Sequence, residues 1–549
     1  MSKFVVGAAL VAAVAVVAAA IPAKEYNIRE GEALIVNTSQ GTLLGRRYND
    51  VDHFLGIPFG LPPVGERRFR RPEPAAAWEG VRSAEEFGPN CMTKISSDYV
   101  KGNISEDCLY LNVYRPVNAT GDAKLPVMIW LFGGSWEWGG SSFFLYQGRG
   151  IVNYGNVVLV TINYRLAMFG FVAHPSLQAE DEHNSTGNYG VQDQRLAFEW
   201  VQQNIAAFGG DPDNVMLFGQ SAGAGSVSFH TVAPASNGLF HKATMESGPP
   251  SDWVSRNLSD VIAHTNRIAD AVNCSGLEGE SWTSCMRNVP ADVLTLHPEN
   301  TPNLSLNWFP VVDGVELTDF VPNLWKRNMT NDVSAMLFGV VQDEGTEFME
   351  FIKPDDTCDD YVTWLKTRWG GSLLDDVNKT YPCDLDTTPF FTAARAYGDA
   401  LMGCPARRTA TWASSRGIPV YLYHFTHQPF LFKVAEPQYR VGHSSDVPFV
   451  WHDSEVLLGE GEVALADQVV SYWTNFAATS NPNKVGSNNP NGIVPAVEWV
   501  PFSPSGNHNF LNLNLTTAME TDFIGSVYCD MWDQYFFSGC YVNGSKTSC

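Results

Sequence analysis

A serine between small residues stands where an apolar run of the chain gives way to residues that can start a helix. Gly219-Gln220-Ser221-Ala222-Gly223 fits the pattern Gly-x-Ser-x-Gly and follows the apolar run from Val215 to Phe218. A sharp strand-to-helix turn holds its central serine in strained backbone geometry, and side chains at the two flanking glycines would clash there. The pattern therefore predicts that Ser221 is the nucleophile of a serine hydrolase.

A serine that attacks a carbonyl needs backbone amide donors for the oxyanion that forms. The amide of Ala222 would lie at a helix N-terminus and would point toward that position. Further donors are expected from the loop that follows the predicted strand Leu125–Phe132, because enzymes with this turn take a second amide from such a loop.

The serine also needs a base, and the base needs an anion that holds its tautomer. With this turn the chain order is serine, acid, histidine. After the predicted strand Ala335–Val341 the chain passes through Asp343 and Glu344, and the residues alone do not choose between these carboxylates. The histidines that follow are His424, His427, His443, His452 and His508. His424 lies in a strand-like run and is expected in the core, whereas the polar loop around His443 favours it as the base.

Strand-like runs alternate with helical patterns along the chain and predict the elements that position these residues. Strand-like runs cover Ala33–Thr38, Leu125–Phe132, Val157–Asn163, Val215–Phe218, Ala335–Val341 and Pro419–Phe425. Helical patterns cover Tyr189–Phe208, Ala466–Ala477 and Thr517–Phe537. Such alternation predicts an α/β fold with a large, mostly parallel twisted sheet and helices on both faces.

Composition and charge narrow the class of protein. Of 549 residues, 44% are hydrophobic and 17% charged, which is typical of a compact globular protein. The formal net charge of −24 argues against nucleic acid and anionic membrane surfaces as partners. The length suits one large α/β domain with insertions, expected over residues 24–549.

The N-terminus predicts a secretory signal peptide. Lys3 precedes an Ala/Val-rich run from Phe4 to Ile21, and a cleavage site is expected by Ala23, so that the signal spans residues 1–23; a retained membrane anchor is the alternative. Asn-x-Ser/Thr sequons begin at Asn37, Asn103, Asn118, Asn184, Asn257, Asn273, Asn303, Asn328, Asn378, Asn514 and Asn543. These sequons and an even number of cysteines, ten, predict a secreted or lumenal glycoprotein. No cysteine has metal-site spacing, so no metal is expected.

Several long stretches carry a family resemblance. They read FLGIPFGLPPVGERRFRRPEP near residue 54, SEDCLYLNVYRP near 105, NYRLAMFGF near 163, QDQRLAFEWVQQNIAAFGGDP near 192, QDEGTEF near 342 and GHSSDVPFVW near 442. Over about residues 30–540 the chain resembles the type-B carboxylesterases, α/β-hydrolases that include cholinesterases and fungal lipases. The resemblance implies an α/β-hydrolase fold with a small N-terminal antiparallel region. It also implies hydrolysis of small-molecule carboxylic esters without a metal or organic cofactor.

The same resemblance implies roles at the site. It places the acid of a Ser-His-Glu triad at Glu344 and the base at His443, with Asp343 structural. Phe132-Gly133-Gly134-Ser135-Trp136 resembles the family's three glycines followed by an aromatic residue, so the amides of Gly134 and Ser135 would join that of Ala222. Ser135 replaces the third glycine, and its amide would serve only with a negative or mildly strained φ. Trp136 either narrows the acyl side of the site or packs the loop.

Three further residues are interpreted by the same comparison. Ser247 matches a serine that hydrogen-bonds the acid in relatives, and Asp446 matches an acidic residue three positions after the histidine. Both could equally be capping or turn residues. Gln220 departs from the glutamate that most relatives carry before the nucleophile. A neutral amide there would weaken both attraction for a cationic substrate and stabilisation of the imidazolium.

The cysteines follow the family pattern in part. Cys91–Cys108 and Cys274–Cys285 match the family's two short disulfide loops, and Cys404–Cys529 matches a long-range disulfide. Elimination then leaves Cys358–Cys383 and Cys540–Cys549.

Two other functions compete with a serine esterase. A lipase or sterol esterase would differ in its lid and acyl tunnel, and a non-catalytic adhesion ectodomain typically lacks a triad member. Between Cys91 and Cys108 the chain is polar, has a sequon at Asn103 and contains no tryptophan. Lipase relatives have a longer amphipathic flap there, and cholinesterase relatives a tryptophan. We therefore expect activity on soluble or small esters, without choline selectivity.

Overall fold

A sheet of thirteen strands lies at the centre of the computed structural model, which describes residues 31–93, 103–117, 119–296, 308–349, 351–490, 492–505 and 507–538. Its strands are β1 (Glu32–Asn37), β2 (Thr42–Tyr48), β3 (Val51–Pro58), β4 (Val81–Ser83), β5 (Tyr110–Pro116), β6 (Leu125–Leu131), β7 (Val158–Ile162), β8 (Gly210–Gln220), β9 (Lys242–Glu246), β12 (Ala335–Val341), β13 (Val420–Phe425), β14 (Phe510–Leu513) and β15 (Ala518–Glu520). The short strands β10 (Arg256–Asn257) and β11 (Val311–Val312) form a separate pair.

The order of the strands produces a mostly parallel sheet with antiparallel ends. The order is β1-β2-β3-β5-β7-β6-β8-β9-β12-β13-β14-β15, with β4 pairing β2. From β7 to β14 in this order, each strand pairs in parallel with the next. The pairs β1–β2, β2–β3, β3–β5 and β5–β7 at one end, and β14–β15 at the other, are antiparallel. This architecture confirms the predicted α/β fold, including the N-terminal antiparallel region.

The central strands are apolar on both faces because both faces are covered. Every residue of β6, β7 and β12 is buried, which is typical of parallel strands with helices above and below the sheet. Their continuous apolar runs made them predictable, whereas the short β9, KATME, has no such run.

The helices of the described residues lie between these strands. They are α1 (Arg149–Gly155), α2 (Ala167–Phe171), α3 (Pro175–Glu180), α4 (Tyr189–Asn204), α5 (Ala222–His230), α6 (Leu258–Ala271), α7 (Gly279–Asn288), α8 (Ala291–Leu296), α9 (Val321–Lys326), α10 (Cys358–Arg368), α11 (Gly371–Thr380), α12 (Pro389–Gly398), α13 (Cys404–Ser415), α14 (Phe430–Ala435), α15 (Val447–Trp451), α16 (Glu462–Thr479) and α17 (Ser526–Ser538). Single 3₁₀ turns cover Gly65–Arg67, Ile205–Phe208, Pro234–Ser236, Asp252–Val254, Glu344–Phe348 and Pro437–Tyr439, and a π-helical turn covers Asp399–Gly403.

One predicted helix is wrong in its first half. The pattern over Thr517–Phe537 predicted a single helix, but its start forms β15, which pairs antiparallel with β14. The chain then turns through Asp522, Ile524 and Gly525, which have φ values of 64°, 63° and 92°. Positive φ values interrupt a right-handed helix, so α17 begins only at Ser526.

Four disulfides connect loops and helices of the described part. They join Cys91 to Cys108, Cys274 to Cys285, Cys358 to Cys383 and Cys404 to Cys529. The last bond ties α13 to α17 across a sequence separation of 125. Cys540 and Cys549 lie outside the described residues. Among the helices that are described, none is long and apolar enough to cross a membrane.

Candidate active site

Ser221 lies in the turn between β8 and α5. Its backbone has φ 58° and ψ −126°, a conformation that costs a residue with a side chain about 1–3 kcal/mol. The Ser221 amide donates to the Glu246 carbonyl oxygen at 2.8 Å, which fixes the turn against β9. Both flanking glycines are required, because a Cβ on Gly219 would lie 2.6 Å from the Leu131 carbonyl oxygen and one on Gly223 would lie closer still.

His443 and Glu344 meet in loops that follow β13 and β12. His443 Nδ1 donates to Glu344 Oε2 at 2.6 Å, and Glu344 Oε1 accepts from the Val341 amide at 2.9 Å. Burial lowers the pKa of His443, but the charge and hydrogen bond of Glu344, with smaller contributions from other carboxylates, raise it overall above 6.5. Asp343 instead accepts from the Val441 amide at 3.2 Å. Glu344, not Asp343, is therefore the carboxylate bonded to the imidazole.

The other imidazole nitrogen contacts the residue before the serine. Gln220 Nε2 lies 3.1 Å from His443 Nε2. Because the Nδ1 proton is directed at Glu344, neutral His443 carries a lone pair on Nε2, and the Gln220 amide donates to it. Among the hydrogen bonds of the described residues, none joins Ser221 Oγ to His443. In this conformation the Gln220 amide is hydrogen-bonded to the Nε2 lone pair of His443, which must be free to accept the proton of Ser221.

The loop after β6 presents backbone amides beside Ser221. Gly134 and Ser135 line the same cavity as Ser221. In the part of the chain that the structure describes, the amides of Gly134, Ser135 and Ala222 donate to no protein acceptor, so all three can receive an anionic oxygen. Ser135 has φ 55°, in the left-handed region that favours glycine, so its amide is held in a strained backbone conformation and not at a negative φ.

Trp136 packs the loop and does not narrow the site. Its indole is fully buried, and its Nε1 donates to Ser226 Oγ at 2.8 Å. The tryptophan that lines the cavity with Ser221 is Trp138, which the sequence analysis did not single out.

Ser247 and Asp446 lie close to the site at a turn and at a helix start: Ser247 has φ 57°, and Asp446 is the N-cap residue of α15. Ser247 Oγ is buried and has no hydrogen-bond partner among the described residues, so the predicted bond to Glu344 is absent from this structure. Asp446 Oδ2 accepts from the Tyr423 hydroxyl at 2.6 Å. Burial raises the pKa of Asp446 to about 6. Neither residue hydrogen-bonds His443.

The sequence did not predict that two further carboxyl groups, those of Glu246 and Glu347, lie near the site. Glu246, at the end of β9, is fully buried, and its Oε1 accepts from Trp473 Nε1 at 2.8 Å; burial and the charge of Asp446 raise its pKa well above the ordinary value. Glu347 follows Glu344 in the same 3₁₀ turn and is 3% exposed. The local sequence offered no signal for Glu246, because β9 lacks an apolar run and only the pairing of β8 with β9 brings Glu246 beside Gln220.

A cavity of about 570 Å³, including space open to solvent, lies above these groups. Its polar lining comes from Ser135, Gln220, Ser221, Glu347, His443 and Ser444, and its aromatic lining from Phe132, Trp138, Phe143, Tyr146 and Phe348. A mostly apolar cavity with few convergent polar groups is typical of a small-molecule site. Within the described residues, no group of three or more His, Cys, Asp or Glu could hold a metal ion.

Comparison with known proteins places this geometry in context. A family model described as "Carboxylesterase family" matches residues 32–532. Pyrethroid hydrolase Ces2e of Rattus norvegicus is 34% identical over 465 residues, which cover 79% of this chain and 79% of the relative. Carboxylesterase 5A of Canis lupus familiaris is 32% identical over 556 aligned positions, in an alignment that covers 94% of this chain and 91% of the relative.

Proposed function

The chain belongs to the carboxylesterase family of carboxylic ester hydrolases, and on that premise we propose that it is a secreted serine esterase with the triad Ser221, His443 and Glu344. The observation that carries the proposal is the 2.6 Å hydrogen bond between His443 and Glu344 in the wall of the cavity that contains Ser221. Three unpaired amides beside that serine support it further.

The proposed reaction proceeds through an acyl-enzyme. Ser221 Oγ attacks the ester carbonyl while its proton passes to His443 Nε2, and Glu344 stabilises the imidazolium. The amides of Gly134, Ser135 and Ala222 hold the oxyanion. His443 then gives the proton to the leaving alcohol, and water repeats the sequence on the acyl group. The Gln220 amide must give up the Nε2 lone pair before the first step.

The strained turn at Ser221 fits this role. Its φ of 58° and ψ of −126° are maintained by the amide bond to Glu246 and by the close approach of Gly219 and Gly223 to β6. Strain of this kind persists where the surrounding structure over-determines it, and it is concentrated at functional sites.

Secretion is the second part of the proposal. We propose that residues 1–23 are a signal peptide and that residues 24–549 form a single domain; residues 1–30 lie outside the described part. Of the sequon asparagines that the structure describes, Asn37, Asn103, Asn184, Asn257, Asn273, Asn328 and Asn378 are exposed, and Asn514 is partly exposed. Exposed asparagines and four disulfides suit a glycoprotein of an oxidising compartment. N-terminal sequencing of the secreted protein, and a mass loss on deglycosylation, would test this.

The proposed substrates are soluble or small carboxylic esters. The segment between Cys91 and Cys108, on which this expectation depends, is described only in part, since residues 94–102 lie outside the structure's description. Purified protein should hydrolyse p-nitrophenyl butyrate faster than p-nitrophenyl palmitate and should not prefer butyrylthiocholine. It should give no rate jump with emulsified triolein. Such a jump would identify a lipase instead.

A fluorophosphonate probe provides the direct test of the nucleophile. The probe should label Ser221 alone, as read by peptide mapping, and labelling should block ester hydrolysis stoichiometrically. Labelling elsewhere with full retention of activity would contradict the proposed triad.

A further inference from the structure

Glu347 is a carboxyl group in the wall of the catalytic cavity that the proposed mechanism does not use. It lies three residues after Glu344 in the 3₁₀ turn Glu344–Phe348 and is 3% exposed. Of the described residues that line the cavity, it alone carries a carboxyl group. A buried acid in the wall of a substrate cavity is expensive to maintain unless something pairs with it.

One oxygen of the Glu347 carboxyl group can still accept a hydrogen bond. Its Oε1 is buried and has no hydrogen-bond partner within the described part of the chain. Buried polar atoms in folded proteins are nearly always paired, so an orphaned one at a cavity wall points to a ligand or substrate group. The walls around it are aromatic, with Trp138, Phe143 and Phe348 in the same cavity. Aromatic faces beside a carboxyl group are the surroundings that favour an ammonium ion.

Glu347 lies beside the segment of the cavity wall that carries His443. A Cβ added to Gly442 would lie 3.2 Å from Glu347 Oε1, so this oxygen lies beside the backbone that leads into His443. His443 Nε2 has to deliver a proton to the leaving alcohol. The alcohol portion of a bound ester therefore lies near His443, and Glu347 is the carboxyl group of the cavity wall on that segment.

We propose that Glu347 forms a subsite for a protonated amine carried by the alcohol portion of the ester. The proposal deepens the esterase function and rests on it. The ammonium N–H would donate to the orphaned carboxyl oxygen, while the aromatic walls exclude water and contact the rest of the cation. A quaternary ammonium has no N–H to donate, so this subsite does not predict choline selectivity.

The groups that face Glu347 are compatible with this pairing. Burial raises the pKa of Glu347 to about 8; the charge of His443 opposes the rise, and the charges of Glu344 and Glu436 add to it. The Tyr439 phenol also faces this carboxyl group. An ammonium group that enters the cavity favours the ionised carboxylate, because an opposite charge at close range draws the pKa of an acid down.

Two butyrate esters of the same shape test the subsite. 2-(Dimethylamino)ethyl butyrate carries a protonated tertiary amine at neutral pH, and 3-methylbutyl butyrate replaces its nitrogen with carbon. We expect kcat/KM for the amine ester to exceed that for the carbon ester by about tenfold, as one charge-assisted hydrogen bond would provide. Glu347→Gln should bring this ratio to near one. Glu436→Gln removes the same charge from a residue that does not line the cavity, and it should leave the ratio close to that of the wild type.

The outcomes separate this inference from the function on which it rests. A wild-type ratio near one, with both esters hydrolysed, overturns the subsite and leaves the esterase intact. An unchanged ratio in Glu347→Gln, or an equal fall in Glu436→Gln, also overturns it, since the preference would then come from general charge. If neither ester nor p-nitrophenyl butyrate is hydrolysed, the esterase proposal fails and the subsite fails with it. Because the wild-type ratio is measured without any variant, a ratio near one overturns the subsite even if Glu347→Gln does not fold.

Discussion

Gln220 Nε2 lies 3.1 Å from His443 Nε2, so the residue before the nucleophile donates a hydrogen bond to the proposed base. The amide stabilises neutral imidazole and competes with Ser221 for the same lone pair. The family resemblance predicted a glutamate at this position, and a carboxylate there would favour imidazolium instead. The identity of this side chain therefore adjusts the protonation of the base.

Replacement of Gln220 should move the pH profile in a defined direction. The wild-type acid limb of kcat/KM should have its midpoint above 6.5, since Glu344 raises the pKa of His443 and only neutral His443 accepts a proton. Gln220→Glu adds a negative charge beside the imidazole, raises this pKa further and shifts the limb to higher pH. Gln220→Met, of similar length and without charge, should not produce this shift. Coincident profiles for Gln220→Glu and the wild type would contradict the contact.

Ser221→Ala should abolish turnover without unfolding the protein. Loss of a triad nucleophile lowers kcat by roughly 10³-fold or more, and p-nitrophenyl butyrate hydrolysis by the purified variant measures it. Circular dichroism and the thermal midpoint should remain close to those of the wild type. Ser415→Ala, at an exposed serine of α13, serves as the matched control and should keep full activity.

Glu344→Gln should show which of the two candidate carboxylates, Glu344 or Asp343, is the triad acid. The amide can keep a contact with His443 Nδ1 but loses the negative charge that stabilises imidazolium, so kcat should fall by roughly 10³–10⁴-fold. The acid limb should also move to lower pH, because the main influence that raises the pKa of His443 is gone. Asp343→Asn is the matched variant and should have a much smaller effect. The reverse order of effects would reassign the acid to Asp343.

Ser135→Gly should stabilise the protein and preserve the amide donor. Ser135 has φ 55°, and glycine adopts this region without the steric cost that a Cβ imposes, so a gain of about 1 kcal/mol is expected. Chemical denaturation measures the change, with Ala263→Gly at an exposed interior position of α6 as the control that should lose stability. If Ser135→Gly lowers the free energy of unfolding, the contacts of the serine side chain stabilise the protein by more than its backbone strain destabilises it.

The long-range disulfide should contribute more stability than a short one. Cys404–Cys529 closes a separation of 125 residues and Cys274–Cys285 one of 11. Loop-closure entropy predicts about 5 kcal/mol for the first and about 3 kcal/mol for the second. Paired Cys→Ser replacements, compared by guanidinium denaturation, should preserve this order. Equal losses would indicate that residual structure in the unfolded chain removes the entropic advantage.

The sequence was sufficient for features that depend on neighbours along the chain. The apolar runs of β6, β7 and β12 predicted buried parallel strands, because a strand covered on both faces must be apolar throughout. The Gly-x-Ser-x-Gly pentapeptide predicted the turn at Ser221 for a similar reason, since glycine at positions 219 and 223 is required by the backbone itself. The helix over Thr517–Phe537 failed, because pairing of β15 with β14 is a contact between separate segments that a helical pattern does not report.

The tertiary structure alone decided where the polar side chains of the site point. Gln220 and His443 are 223 positions apart in sequence, and nothing in either local pattern predicts that the amide reaches the imidazole. The hydrogen bond from His443 to Glu344 and not to Asp343, the unpaired hydroxyl of Ser247 and the buried carboxyl of Glu347 depend on packing in the same way. The physical reason is that backbone conformation and burial follow local residue types, whereas a hydrogen bond depends on the positions of two groups that only the packed sheet and its loops bring within about 3 Å of each other.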